Sequence, residues 1–426
     1  MSILVILAVL GLSSGCLGQG VPPSEQEKQI RIKLVVDQPQ AYQSRYGAAV
    51  AAQLPDLEIE LYSSSDWEKV RLTEDESPDV RIVSYPQYVQ LVEEGLLYAL
   101  DAYITRDAFD KEGLHEGVVQ LLTEPGGGQM FGLAPIFFSQ ALLYNRELFD
   151  QYGIPHPVNG MSWDEVLELA GRFPVSLEPS EDAEDRLYGL YTWHSAYGLV
   201  QEIGKAEGLV NISGQTAMVV DTPEWWHIWE RVAAGVLEGE ILVHPEHPGR
   251  MNTRDNAFVS GRAAMSIAGL SQAVNSRDAG VQVGIVSPPV NPRAPSVNWT
   301  LALGDIFVIP ADSRQPDQAW QLIKYIHGDQ YARTKSKTSL DMSVRTAYMQ
   351  ELDGEPITAY YTPVDAWVED RFVSSLPAYF HAEFDRLGAV EMAAVLEQAK
   401  TIEEALEVFQ QGAQSALQEA LQQESE

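Results

Sequence analysis

From residue 30 onward, short apolar runs alternate with stretches whose apolar residues recur at helical spacing. Residues 30–37 read as a strand, at first mixed with basic residues and then continuously apolar, and Asp37-Gln38-Pro39-Gln40 is the turn into a helix over 42–53 that Pro55 closes. A second strand follows over 57–62, a short helix over 66–72 and a third strand over 80–84. The helix over 85–95 then carries Tyr88, Val89, Leu91 and Val92 on its apolar side. Strand and helix taking turns in this way predict an α/β architecture, with a mostly parallel sheet covered on both faces.

The run over 131–144 is apolar except for Gly132, Pro135, Ser139 and Gln140. It is too short to span a bilayer and predicts one long buried strand, whose polar residues suit a passage between two lobes. Behind it Leu148, Phe149 and Tyr152 recur at helical spacing until Gly153 and Pro155 stop them. Ser162 with Glu165 forms a capping box, 177–185 is an acidic loop, and 187–193 is a strand or turn feeding a helix over 196–205. Thr222 and Pro223 start another helix, through 235, in which the spacing of Trp225, Trp226 and Trp229 favours packing over binding. Residues 281–287 read as a return to the first lobe, 301–310 as a strand in its sheet, and 316–327 as a helix with Ala319, Trp320, Leu322, Ile323 and Ile326 inward. Ser343-Val344-Arg345 reads as a third passage. From Thr401, with Glu404 completing another capping box, Ile402, Ala405, Leu406, Phe409, Ala413 and Leu417 share one stripe of a helix docked on the second lobe.

Gly132-Leu133, Pro135, Leu143-Tyr144-Asn145, Leu148-Phe149, Gly153-Ile154-Pro155 and Trp163-Asp164-Glu165, in this order, resemble the extracellular solute-binding proteins of ABC importers. The likeness is to the carbohydrate-binding group of family 1, which includes maltose-binding protein. Pro78-Asp79-Val80, Gly95-Leu96-Leu97, Leu100-Asp101 and the stretch 256–267 extend it, so that order and spacing rather than any single motif carry it. The resemblance implies a two-lobed periplasmic-binding-protein type II fold with about three hinge crossings. Residues 30–139 and 286–343 would form the first lobe, and 140–285 and 344–426 the second. It further implies a monomer that traps a sugar or oligosaccharide between the lobes and hands it to the permease subunits of an ABC transporter, with no cofactor.

A formal charge of −33, from 28 basic and 61 acidic residues, argues against nucleic acid as a partner, because phosphate binding needs clustered Lys and Arg. The apolar run over 3–12 has the length of a secretory signal rather than a membrane span. Cys16, the only cysteine, then stands where bacterial lipoproteins are cleaved and acylated. Ser13 occupies the place usually held by Leu, and no Lys or Arg precedes the run. Residues 1–15 are accordingly expected to be a lipoprotein signal peptide and 16–29 a flexible tether, which would leave the protein extracytoplasmic and lipid-anchored to the bacterial cell membrane.

Ligands of open α/β sheets bind outside the carboxyl ends of the strands. That nominates Asp37, Gln38, Ser84, Tyr85 and Gln87 as partners for sugar hydroxyls. Trp193, His194, Gly269 and Tyr379 are nominated from the second lobe, Phe138 and Ser139 where the chain crosses, and Trp299 at the lip. Each has an ordinary alternative: Phe138, Trp193 and Tyr379 as core aromatics, Asp37 as a helix cap, Ser84 as a strand end. His244-Pro245-Glu246-His247-Pro248 lacks the helix that would put both imidazoles on one face, so no metal is expected. Gly126-Gly127-Gly128 lacks the following Lys and reads as a hairpin rather than a phosphate loop. No pair of carboxylates is marked out for glycoside hydrolysis. A surface-anchored glycoside-acting enzyme, and a binding protein or sensor for a non-sugar solute, remain the alternatives.

Overall fold

The computed structural model describes residues 30–68, 77–174, 186–244, 256–352, 355–366, 373 and 376–424. The expected signal peptide, Cys16, the tether, the acidic loop 177–185 and Pro245-Glu246-His247-Pro248 lie outside the described residues.

The strands of the two main sheets and the layer between them, in chain order, are β1 (Ile30–Val36), β2 (Leu57–Ser63), β3 (Val80–Val83), β4 (Gly132–Leu133), β5 (Ile136–Phe138), β6 (Ala141–Asn145), β7 (Tyr188–Tyr191), β8 (Ile241–Leu242), β9 (Ala263–Ala268), β10 (Val283–Val286), β11 (Ala302–Leu303), β12 (Ile306–Val308) and β13 (Met342–Ser343). The first lobe holds a five-stranded sheet in the order β2-β1-β3-β12-β4, and the second lobe one in the order β8-β7-β9-β6-β10. Between them β5 pairs with β11 and β13.

The two sheets share one rule. β1 runs parallel to β2 and β3, and β7 parallel to β8 and β9, whereas β12 and β6 are antiparallel to both of their neighbours. The two exceptions are the strands that arrive directly from the other lobe. Such a strand starts at the cleft and runs away from it, while the others run toward it. Four of the five strands of each sheet therefore run one way, in keeping with the mostly parallel sheet expected from the alternation of elements, with one antiparallel strand inserted.

The expected long strand over 131–144 is three short ones, β4, β5 and β6, each in a different sheet. Pro135 lacks an N–H for a ladder, and its carbonyl instead accepts Val344 N at 3.1 Å. The lobe boundaries also shift. Val290 N bonds Met161 O, Asn291 bonds Glu207 O and Trp299 packs on Trp163, so the chain stays in the second lobe to about residue 299 rather than leaving it at 286. Residues 344–366 do not pass over at Ser343-Val344-Arg345. Tyr361 donates to Ser343 O, the Tyr361 carbonyl lies 3.1 Å from His115 Nε2 and Ala366 N donates to Gln120, all first-lobe contacts, while Asp365–Ala366 also pair with Val297–Asn298, where the two passages of the chain run side by side. Val373 and Leu376 already pack in the second-lobe core.

Helices α1 (Pro39–Tyr42), α2 (Tyr85–Glu93), α3 (Glu116–Thr123), α4 (Ala196–Ala206), α5 (Pro223–Leu237), α6 (Leu270–Asp278), α7 (Pro316–Ile326), α8 (Ala378–Leu396) and α9 (Ile402–Glu424) are the ones that matter for the site. The inward stripe of α7 is as expected, with Ala319, Trp320, Leu322, Ile323 and Ile326 all buried. Trp225 and Trp229 of α5 are core residues and Trp226 faces outward. Gly388 of α8 is required by close approach, since a Cβ there would meet the Tyr197 ring at 2.1 Å. Gly126-Gly127-Gly128 joins α3 to β4, so it is a helix-to-strand turn and no hairpin; Gly127 and Gly128 take the left-handed φ values of 61° and 101° that favour glycine.

Candidate functional site

A hollow of about 620 Å³ opens at the carboxyl ends of β1 and β3, where Asp37, Gln38, Ser84 and Tyr85 form its first-lobe wall. Phe138, Leu301 and Gly304 close it at the crossing, and Lys205 reaches it from α4 of the second lobe. A second hollow of about 250 Å³ lies on the second lobe between Gln140, Trp193, His194, Gly269 and Gln272. Phe138 lines the first hollow and Gln140 the second, so the two meet at one bend of the chain.

On the first wall, Asp37 accepts a hydrogen bond from Ser64 Oγ. It does not cap α1, whose N-cap is Gln38 with no side-chain bond. Arg45 Nη1 lies 2.9 Å from Asp305 Oδ2, and the Tyr46 hydroxyl donates to the same oxygen at 2.8 Å. Burial first, then the Asp305 carboxylate, holds the Tyr46 phenol far above its usual range. Arg45, Asp305 and Lys205 line this hollow and escaped the sequence reading. A single acid beside Gly304 in an otherwise apolar run was the available signal for Asp305.

The second wall has no Asp, Glu, Lys or Arg among its lining residues. Trp193 is 38 % exposed, with its indole N–H donating to Gln272 Oε1 at 2.6 Å and its ring nearly parallel to that of His244. His194 beside it is anchored by its backbone N–H to Thr192 Oγ1. Gly269 sits just before α6, and a Cβ placed there would come no closer than 3.9 Å to the Ser139 carbonyl. Phe138 is 47 % exposed at the bend.

Asp37, Gln38, Ser84, Tyr85 and Phe138 thus gather at the larger hollow, and Trp193, His194 and Gly269 at the smaller. Four other nominated residues do not. Gln87 folds back so that its Oε1 accepts Ser84 N at 3.0 Å, closing the start of α2. Ser139 is buried; its hydroxyl lies 3.0 Å from Thr300 Oγ1 and accepts Asn298 Nδ2, which ties the two passages of the chain together. Trp299 is 2 % exposed in the second-lobe core, its indole N–H donating to Pro289 O, because the chain has not yet left that lobe. Tyr379, in the first turn of α8, is exposed and lines neither hollow. Among the described residues no group of three or more His, Cys, Asp or Glu is placed to hold a metal ion, and no helix is long and apolar enough to cross a membrane.

A sequence profile of the bacterial extracellular solute-binding proteins matches residues 40–333. The chain belongs to that family. It is a family of binding proteins rather than enzymes, and its members act outside the cytoplasm, so the glycoside-acting alternative is set aside. A maltotriose-binding protein of Pyrococcus abyssi is 23% identical over 287 residues, 64% of this chain and 56% of that protein. A putative binding protein of Brucella abortus is 22% identical over 262 residues, 58% of each. The chain thus spans little more than half the length of the curated relatives it matches. Among solved structures, the sugar-binding protein MalE of Xanthomonas citri superposes with a TM-score of 0.67 at 13% identity, over 91% of this chain and 98% of that one. An ABC substrate-binding protein of Listeria monocytogenes in complex with cycloalternan gives 0.63 at 16% identity, with the same coverages. These likenesses establish the two-lobed type II fold of the solute-binding protein.

Proposed function

We propose that this solute-binding protein captures a sugar or oligosaccharide between its lobes and delivers it to the permease of an ABC transporter. One observation carries the reading: a wall of hydrogen-bonding strand ends and a wall with an exposed, anchored tryptophan meet at the chain crossing. A sugar offers hydroxyls to the first and a weakly apolar C–H face to the second. The maltotriose-binding and cycloalternan-bound relatives support it. Ligand touching both lobes favours the closed arrangement by its higher affinity for that state, and a permease reads closure as occupancy. In the same reading the protein works as a monomer, held to the membrane by a lipid on Cys16 and a tether over 16–29; the mass of the membrane-extracted protein tests the lipid.

A thermal-shift screen against maltotriose, cycloalternan, mannitol, tagatose and acarbose tests the ligand class. A ligand at one hundred times its dissociation constant stabilises the fold by about 2.7 kcal/mol. At least one saccharide raises the melting temperature, and nucleotides do not. A screen in which no saccharide shifts the transition, or in which one is turned over, defeats the proposal.

A further inference from the structure

Trp193 follows β7 on a turn, is 38 % exposed, and stays in one orientation because of what lies behind it. An indole N–H can only donate, so the Gln272 atom 2.6 Å from it is the amide oxygen. Asn256 Oδ1 already accepts the backbone N–H groups of Phe258 and Val259, at 3.0 and 3.1 Å, so the Asn256 nitrogen faces Gln272 and donates to the same Oε1 at 2.9 Å. Both lone pairs of that oxygen are then used. Gln272 Nε2 donates in turn to Ser266 Oγ of β9, at 2.9 Å. Gln272, Asn256 and Ser266 are all buried, so the amide has a single satisfied orientation and water does not compete for it. On the open side the indole borders the 250 Å³ hollow with Gln140, Gly269 and Ser271.

We infer that Gln272 is a positioning residue for Trp193, fixing the indole as the stacking platform of a saccharide subsite on the second-lobe wall; this rests on the saccharide reading above. An exposed tryptophan without such an anchor loses rotamer freedom each time a ligand stacks on it, and that loss is subtracted from affinity. The anchor meets the cost during folding.

The test uses the whole chain labelled with 5-fluorotryptophan, with the Trp193 fluorine resonance assigned by its loss in Trp193→Phe. Gln272→Met shifts and broadens that resonance without ligand. Gln272→Glu leaves it near the wild-type position, because a carboxylate accepts from the indole, from Asn256 and from the Ser266 hydroxyl. Affinity for the tightest-binding saccharide of the panel falls about tenfold in Gln272→Met and about twofold or less in Gln272→Glu. In a Trp193→Ala background Gln272→Met adds nothing further. Should Gln272→Met not fold, Ser266→Ala loosens the same amide and gives the same readout at smaller amplitude. An unmoved fluorine resonance overturns the inference, as does an affinity loss of equal size with and without Trp193. A wild type that binds no saccharide of the panel overturns the platform even where the fluorine spectra bear out the anchoring, which separates failure of the anchor from failure of the ligand reading.

Discussion

The two walls of the cleft solve different problems. The first is charged, yet the larger hollow holds two carboxylates, Asp37 and Asp305, and two cations, Arg45 and Lys205. In a chain of formal charge −33 the cleft is thus locally balanced, and the acidity of the surface does not extend into it. The second wall has no charged member in its Trp193, Gln272, Asn256 and Ser266 network, and every polar atom used there has a partner behind the ring. One wall offers polar groups to a solute's hydroxyls; the other offers a flat apolar surface whose polar edge is already satisfied.

The largest effect separates wall from core. Trp299→Ala, at a residue 2 % exposed, costs about 3–5 kcal/mol of stability by urea denaturation. Trp193→Ala costs less, about 1–2 kcal/mol in the same assay, since its ring is 38 % exposed and what it loses is partial burial and one hydrogen bond. Comparable losses in the two variants would break the distinction drawn between these tryptophans.

Acid acts with opposite sign on the buried histidines of the first lobe and the buried carboxyls of the second. His327, behind the first wall, is buried, and burial lowers its pKa from 6.5 to about 4; His115 is lowered by burial too. An unfolded chain takes up protons below pH 6.5 that the folded first lobe refuses, so its stability is full above pH 6.5. About 3 kcal/mol from His327 is lost as pH falls to about 4. In the second lobe burial raises the carboxyls of Asp385, Glu207 and Glu240, so there the folded state binds protons more readily and gains as pH falls. Hydrogen exchange at pH 7 and pH 4 is expected to show protection falling around α7, with any gain around the end of α4 confined to the acid end of that range. His327→Gln flattens the first change only; equal behaviour of the lobes would count against it.

Asp305→Ala removes the acceptor of both Arg45 and Tyr46 and costs about 2 kcal/mol in a urea melt, the penalty of leaving polar groups without partners. The smallest expected effect is on binding alone. Trp193→Ala weakens saccharide affinity by about 1.5 kcal/mol, roughly tenfold, by calorimetry. A second-wall variant that lost stability but kept affinity would reverse the roles assigned to the walls.

What could be read from the sequence was local. The capping boxes form, with Ser162 N bonded to Glu165 at 2.8 Å and Thr401 N to Glu404 at 2.9 Å, because all their partners lie within four residues. Asp37, Ser84 and Tyr85 line the larger hollow for the same reason: each lies just past the end of a recognisable strand. What could not be read joins distant segments. Arg45 and Asp305 are 260 residues apart, and Trp193 and Gln272 are 79 apart. Trp299 failed because its surroundings depend on where the chain leaves the second lobe, and no spacing within the 286–300 stretch marks that point. Gln87 and Ser139 failed differently: their hydrogen-bonding capacity was real, but nearby groups already use it.

β5 is three residues long, and two of them have contrary allegiances. Phe137 is fully enclosed, its ring 4.9 Å from that of His115 and 5.0 Å from that of Tyr361, while its neighbour Phe138 stands in the hollow. Adjacent residues of a strand point to opposite sides, so a shift of this stretch of backbone moves both rings at once. Any movement of this short strand would therefore be met on one side by an enclosed ring and on the other by one that faces the hollow.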